Sequence, residues 1–373
     1  MFAGAVLSQA DCIIVGSGIA GLATALRLRQ SGLDVLLVER GAVGKEASWA
    51  GGGIVCPLYG WRYPEPVMRL AARGMRTYPA FIESLSELSD IDPEFHPSGM
   101  LILDPFEQGE QPTELLDWAK RQNQTAEISS AAEHFPHLDD RMALWLPDVH
   151  NTRNPRLLQA LNQAATRMGV RIVEQTAVQQ ILTEHERVVG IETTSGTMHA
   201  PRVLVAAGAW SGLLTPGLSP ASVFPVRGQM LRFDHSPANG LPTILMEDGV
   251  YLIPRRDGSV VVGSTVEHAG FDKHTTEEAI RHLHAKAIAL WPNLAHAPIS
   301  HQWSGLRPGT TDELPYLGAH PEISGLFVST GFYRNGLAMG PAVAEIMANL
   351  ILSRPIDLDL TDYRLNRPTT YGD

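Results

Sequence analysis

The sequence predicts an α/β fold: one parallel sheet gathered from separated stretches of chain, and a second domain on a mostly antiparallel sheet. Three observations predict it. Near the N-terminus, "VGSGIAGLATA" at 15–25 joins an apolar run to helix-forming residues, and a second apolar run follows. Residues 170–210 alternate apolar and polar side chains, turn at Ser195-Gly196 and end in an apolar strand running into Gly208. Residues 325–353 repeat the strand-then-helix order, with a strand into Gly331 and a helix from about Gly336. Together they predict a Rossmann-like domain assembled from 1–85, 150–215 and 310–373, and a second domain from 86–149 and 216–309.

Each element has a local cause. Asp11 to Val15 is a short apolar run of the buried-strand type. Leu22 to Gln30 carries good helix formers, and Gly32 is placed to end that helix. Asp34 to Val38 reads as the next parallel strand and closes at Glu39. Helical patterns follow over 66–88, 113–122, 155–168 and 275–290, with an apolar strand piece at Met100 to Leu103. Strand-like runs fill 223–264, among them Val250 to Pro254 and Ser259 to Gly263.

Composition narrows the class. The 373 residues exceed one ordinary core, and 44% hydrophobic with 18% charged residues describes a folded soluble protein. A formal charge of -11 argues against a nucleic-acid partner, because phosphate binding needs a basic face. Two cysteines, Cys12 and Cys56, build neither a disulfide framework nor a metal cluster. The start lacks the basic region of a signal peptide, its first basic residue being Arg27. No apolar run reaches the roughly 18 residues of a membrane span, so the expectation is a cytoplasmic protein without a membrane anchor.

Gly16, Gly18 and Gly21 fit G-x-G-x-x-G. The first allows the tight turn, the second lets backbone approach a pyrophosphate, and the third lets helix and strand pack closely. The helix start offers free N–H groups and a positive dipole end to phosphate. Glu39 ends the next strand, about 20 residues on, where a carboxylate accepts from ribose hydroxyls. FAD and NAD both use this arrangement. The small residues that follow, Ala47, Ser48, Ala50 and Gly51 to Gly53, let backbone pass against a flat, bulky ligand or form a plain glycine loop.

Long motifs then narrow the choice: "VLVAAGAWSG" at 203–212, "VYLIPRRDGSVVVGST" at 250–265, "WSGLRPGTTDELPYLG" at 303–318 and "GFYRNGLAMGPA" at 331–342. With these the chain resembles the flavin-dependent amine oxidases of the D-amino acid oxidase, glycine oxidase and sarcosine oxidase family. The likeness is strongest to the glycine oxidase branch, which is tied to thiazole formation in thiamine synthesis. The resemblance implies FAD contacts by Gly16, Gly18, Ile19, Ala20, Gly21, Glu39 and Arg40. It adds Ala47, Ser48, Gly52, Gly53, Ile54, Val178, Gly208 and Trp210, and the run Phe332, Tyr333, Arg334, Asn335, Gly336, Leu337 and Ala338. It assigns Arg307, Arg334, Tyr251 and Ile54 to the substrate pocket, the first three as catalytic. Sarcosine oxidases attach their flavin through a late cysteine; this chain has none after Cys56, so FAD is expected to be non-covalent. The resemblance also implies a homotetramer.

The expected activity is oxidative deamination of glycine, other small amines and D-amino acids by hydride transfer to flavin, giving keto acid, ammonia and hydrogen peroxide with oxygen as acceptor. A guanidinium suits a substrate carboxylate through paired charge-assisted bonds. By local pattern alone Arg307 also reads as a turn-capping arginine before Pro308-Gly309, and Tyr251 as a half-buried strand residue. Arg334 equally reads as a partner for Asp359 or Glu345. His282 and His284, two apart on a helix, point to different faces and are not read as metal ligands. Arg69, Arg73 and Arg76 share a helix face, read as core packing rather than a membrane anchor. Two rivals stand beside the oxidase: a D-amino acid dehydrogenase passing electrons to a quinone or protein, and a non-catalytic flavin-binding subunit.

Overall fold

The computed structural model describes residues 9–106, 108–234 and 240–367. Residues 1–8, on which the signal-peptide reading falls, lie outside the described residues. The first sheet has six strands in the order Tyr316–Ala319, Leu326–Thr330, Val203–Val205, Cys12–Val15, Val35–Val38 and Arg171–Val173. All pairs are parallel except the antiparallel edge pair of Tyr316–Ala319 with Leu326–Thr330.

The period of two along its strands sorts side chains into two cores. Cys12, Ile14, Val35 and Leu37 face the helices Ile19–Gln30, Glu65–Ser86, Asn154–Arg167 and Gly336–Ile351. Ile13, Val15, Leu36 and Val38 face a small antiparallel sheet of Val178–Glu184, Arg187–Thr193 and Gly196–His199. Continuous apolar runs are what such a sheet, covered on both faces, requires.

The second sheet has eight strands in the order Ile299–Thr310, Val223–Phe233, Val260–Gly263, Val250–Pro254, Ile244–Glu247, Met100–Leu103, Met142–Leu146 and Glu127–Ser130. Its pairs are antiparallel apart from Ile244–Glu247 with Met100–Leu103. One face packs Leu231, Leu252 and Val262 against the helix Glu277–Leu290. The opposite face carries Met230, Tyr251 and Ile253. A three-stranded stitch of Ile54–Val55, His150–Asn151 and His96–Pro97 joins three separate stretches of the chain.

Helix Glu65–Ser86 lies against Gly336–Ile351 so closely that a Cβ on Gly74 would stand 2.0 Å from the Ala338 carbonyl oxygen. Two of the three arginines on its basic face are paired, Arg69 with Glu65 and Asp362, and Arg73 with Glu345 (2.9 Å) and Asp357 (2.5 Å), while Arg76 is exposed. His282 is exposed, whereas His284 packs its ring on Phe233.

One buried ion pair fastens the chain's end. Arg367 makes paired bonds to Asp312 (2.7 and 2.9 Å), lies over the Tyr316 ring and donates to the carbonyls of Pro315 and Leu314. Both side chains are 3% exposed. Removing one member strands the other charge, so Asp312→Asn is expected to lower unfolding stability by about 3–5 kcal/mol. Urea denaturation measures it, and a loss within error would show that the pair contributes nothing net.

Candidate active site

A cavity of about 490 Å³ opens beyond the carboxyl ends of Cys12–Val15, Val35–Val38 and Val203–Val205, facing the Tyr251 side of the second sheet. This is where an open α/β sheet holds ligands. Every candidate named from the sequence borders it except Gly21, Asn335 and Ala338.

The glycine turn is held from beneath. Gly16 has φ +103°, and a Cβ there would stand 2.4 Å from the Ala206 carbonyl oxygen. A Cβ on Gly21 would stand 1.9 Å from the Gly16 oxygen, so Gly21 acts in packing rather than on the cavity wall. Gly18 caps the helix with no side chain, and Ile19 N–H donates to Ser48 Oγ at 3.1 Å. Glu39 accepts from Ser17 N–H (3.0 Å), Ser17 hydroxyl (2.7 Å) and Gly41 N–H (2.9 Å). Its carboxylate therefore braces the turn and keeps lone pairs for further donors.

Next to Glu39 a strap crosses between the two sheets. Arg40 lies 3.4 Å over the Trp210 ring, whose other neighbour is Phe271 at 5.2 Å between centroids. Glu46 pairs with Arg40 and with Lys273, each at 2.8 Å. Arg227 fastens the same segment through Glu267 (2.5 Å) and Asp272 (2.7 Å).

The wall formed by the second sheet carries the anion-binding chemistry. Arg307 projects from Ile299–Thr310 across Gly228 of the neighbouring strand, where a Cβ would stand 2.2 Å from the guanidinium. It donates to the Thr265 carbonyl (3.1 Å) and the Ser264 hydroxyl (2.5 Å), both neutral, and makes no ion pair among the described residues. Burial lowers its pKa, and the positive charge of Arg334 adds to that while Tyr251 opposes it. Tyr251 is 6% exposed and donates to Met230 Sδ at 3.4 Å, a weak acceptor that leaves the hydroxyl free to turn.

Arg334 lies 5.4 Å over the Tyr333 ring and pairs with no carboxylate among the described residues. Glu345 pairs instead with Arg73, and Asp359 accepts from Thr361. Two uncompensated guanidiniums thus share one cavity, and no histidine, aspartate or lysine among the described residues lines it. Cys56 also lines it, but burial pushes its thiol up to about 12, so it stays protonated.

Asn335 and Ala338 turn away from the cavity, into the contact with helix Glu65–Ser86. Residues the sequence reading missed include Ser17, Ser264, Met230 and Gly228. Only Gly228 left a signal, a glycine interrupting a strand pattern where another group must approach. Within 54–62, Ile54, Cys56 and Leu58 line the cavity, while Gly60 turns under Trp118.

A family model described as FAD-dependent oxidoreductase (DAO) matches residues 11–350. The chain belongs to that family. This oxidoreductase is 43% identical to a Pseudomonas aeruginosa glycine oxidase, over 94% of this chain and 97% of that one. It is 33% identical to a Synechocystis bifunctional protein ThiO/ThiG, over 94% of this chain and 52% of that one. The solved glycine oxidase of Geobacillus kaustophilus superposes with a TM-score of 0.88 at 30% identity, covering 97% of this chain and 99% of that one.

The oxidoreductase's cavity also fits FAD by its own shape: a bare glycine turn, a braced carboxylate and a second glycine segment, Gly51 to Gly53, line one continuous space. If the strap retains the cofactor, Lys273→Ala should speed FAD release about two- to fivefold at low salt, the range of one surface ion pair. The effect should fade in high salt. An unchanged release rate in dilute buffer would free the strap of that role.

Proposed function

We propose that this chain oxidatively deaminates glycine and other small amines and D-amino acids. Amino acid, oxygen and water become keto acid (glyoxylate from glycine), ammonia and hydrogen peroxide. The observation that carries this is Arg307, a guanidinium with neutral partners only, opening beside Tyr251 into the cavity of the glycine turn.

When bound, non-covalent FAD supplies the two-electron acceptor and hands the electrons on to oxygen. Gly16, Gly18, Ile19 and Ala20 would take its pyrophosphate, and Glu39 and Arg40 its ribose side. Ala47, Ser48, Gly52, Gly53, Val178, Gly208, Trp210 and Phe332 to Leu337, apart from Asn335, would enclose the rest. Arg307 holds the substrate carboxylate, Tyr251 adds a hydrogen bond, and Arg334 and Ile54 complete the pocket. The side chains position a neutral amine and do not accept its proton, since among the described residues the carboxylates on the cavity are Glu39, bracing the glycine turn, and Glu46, in the strap. The fall of rate toward low pH should therefore follow the amine's own pKa, because protonation removes the reactive neutral form; a fall abolished by one substitution would overturn this.

The domains we draw are 1–85, 150–215 and 310–373 for FAD and 86–149 and 216–309 for substrate, supported by the segments each sheet draws on. A role in thiamine thiazole formation, cytoplasmic location and a homotetramer complete the reading. Among the described residues no helix is long and apolar enough to cross a membrane. Light scattering checks the assembly. The deciding experiment is anaerobic bleaching of the yellow protein by glycine, sarcosine, D-alanine and D-proline, followed by stopped-flow mixing with oxygen. No bleaching by any of them would leave a flavin-binding subunit; bleaching with sluggish reoxidation would favour the dehydrogenase.

A further inference from the structure

Arg255 is 8% exposed and makes no ion pair within 4 Å among the described residues. Its guanidinium donates to two backbone carbonyls, Gly52 at 2.7 Å and Thr152 at 3.0 Å. Burying a full charge against neutral acceptors is costly; a neighbouring cation, Arg153, adds to that cost, and the carboxylates of Glu94 and Asp257, beyond ion-pair distance, offset part of it. Arg153 is itself neutralised by Asp257 (2.9 Å) and Glu94 (3.3 Å), whereas Arg255 is left with carbonyls. A buried cation kept there with carbonyls as its direct partners points to a task for its bonds.

The segment it grips is fixed from several sides. Gly53 has φ +84°, and its carbonyl oxygen accepts from Thr152 N–H at 2.9 Å. It has no room for a Cβ, which would stand 2.0 Å from the Thr152 oxygen. A Cβ on Gly52 would stand 2.5 Å from Ile253 and 3.0 Å from the Tyr251 ring. Gly52 and Gly53 line the cavity, and Arg255 does not. In a trans peptide the C=O and N–H point in opposite directions. With the Gly52 oxygen drawn to Arg255, behind the wall, the N–H of Gly53 is aimed at the cavity. The Tyr251 ring beside Gly52 puts this donor at the substrate end, where the redox ring of the cofactor belongs.

We infer that Arg255 is a positioning residue: it holds the Gly52–Gly53 peptide so that the Gly53 N–H is a fixed donor to the flavin ring. A preset donor favours whatever negative charge the ring gains, at no reorganisation cost during the reaction. The inference rests on FAD binding in the reading above and not on the choice of amine.

The test uses the FAD-loaded full chain and needs no turnover. Sulfite adds to the flavin ring and leaves it negatively charged, so its Kd reports the donor. R255M is expected to weaken sulfite binding at least tenfold and to lower the flavin midpoint potential, with R255K recovering most of both. R153M, which removes a nearby charge without touching Gly52, is expected to match wild type. R255M that binds FAD with wild-type sulfite Kd and potential would overturn the inference. Should R255M lose FAD altogether, R255K decides: sulfite weakened two- to fivefold supports the role, and no change refutes it. A wild-type protein that takes up no FAD would sink the functional reading as well; a yellow wild type with indifferent variants sinks this inference alone.

Discussion

Arg307→Ala is expected to lower kcat/KM for glycine by roughly 30- to 5,000-fold, the equivalent of the about 2–5 kcal/mol lost when one member of a buried charge pair is truncated. The size follows from the surroundings of the guanidinium. Its partners among the described residues are neutral, the Thr265 carbonyl and the hydroxyls of Ser264 and Tyr251, so its charge is reserved for an incoming anion. Nothing else among the described residues of the pocket repeats its geometry, because Arg334 is stacked on Tyr333 and Tyr251 brings one uncharged donor. The visible flavin spectrum should survive. A simple amine without a carboxylate should lose little, and an equal loss on that amine would remove Arg307 from carboxylate binding.

The second large effect concerns the turn. Gly16→Val should weaken FAD binding at least about a hundredfold and give a colourless protein, because strain of about 1–3 kcal/mol from φ +103° adds to a backbone clash at 2.4 Å from Ala206. Gly32 provides the control. It has φ +92° but no atom within 4 Å of where a Cβ would sit, so Gly32→Ala carries strain without a clash. It should cost about 1 kcal/mol of stability and leave FAD affinity intact. Fluorescence titration with FAD separates the two. A yellow Gly16→Val protein of normal affinity would mean that the turn tolerates a side chain.

The first strand, helix and strand were legible because their causes are local: buried apolar runs, a glycine turn and a terminating Gly32 within a short stretch. Gly331 and the helix after it were legible for the same reason. Arg307 was legible mainly as part of a long motif, since its local pattern also suited a turn. What makes it special lies on another strand, at Gly228, and no reading of 303–318 contains that. Ser264 and Arg255 were hidden similarly, their roles resting on partners far away in sequence. The run from Phe332 to Ala338 shows the opposite error. Taken as contiguous it looks like one lining, but it enters a helix, and residues three apart share a face. Asn335 and Ala338 accordingly fall on the side away from the cavity. Glu127–Ser130 and His96–Pro97 were too short to carry a readable period.

The order of strands in the first sheet has a consequence for biosynthesis. Cys12–Val15 waits for Val203–Val205, and that strand waits for Leu326–Thr330. A ribosome must therefore deliver the chain through Thr330 before the flavin cradle can close, and such non-local pairing folds slowly. Nascent chains halted before Leu326 would display an unpaired apolar edge, a natural target for chaperones and proteases.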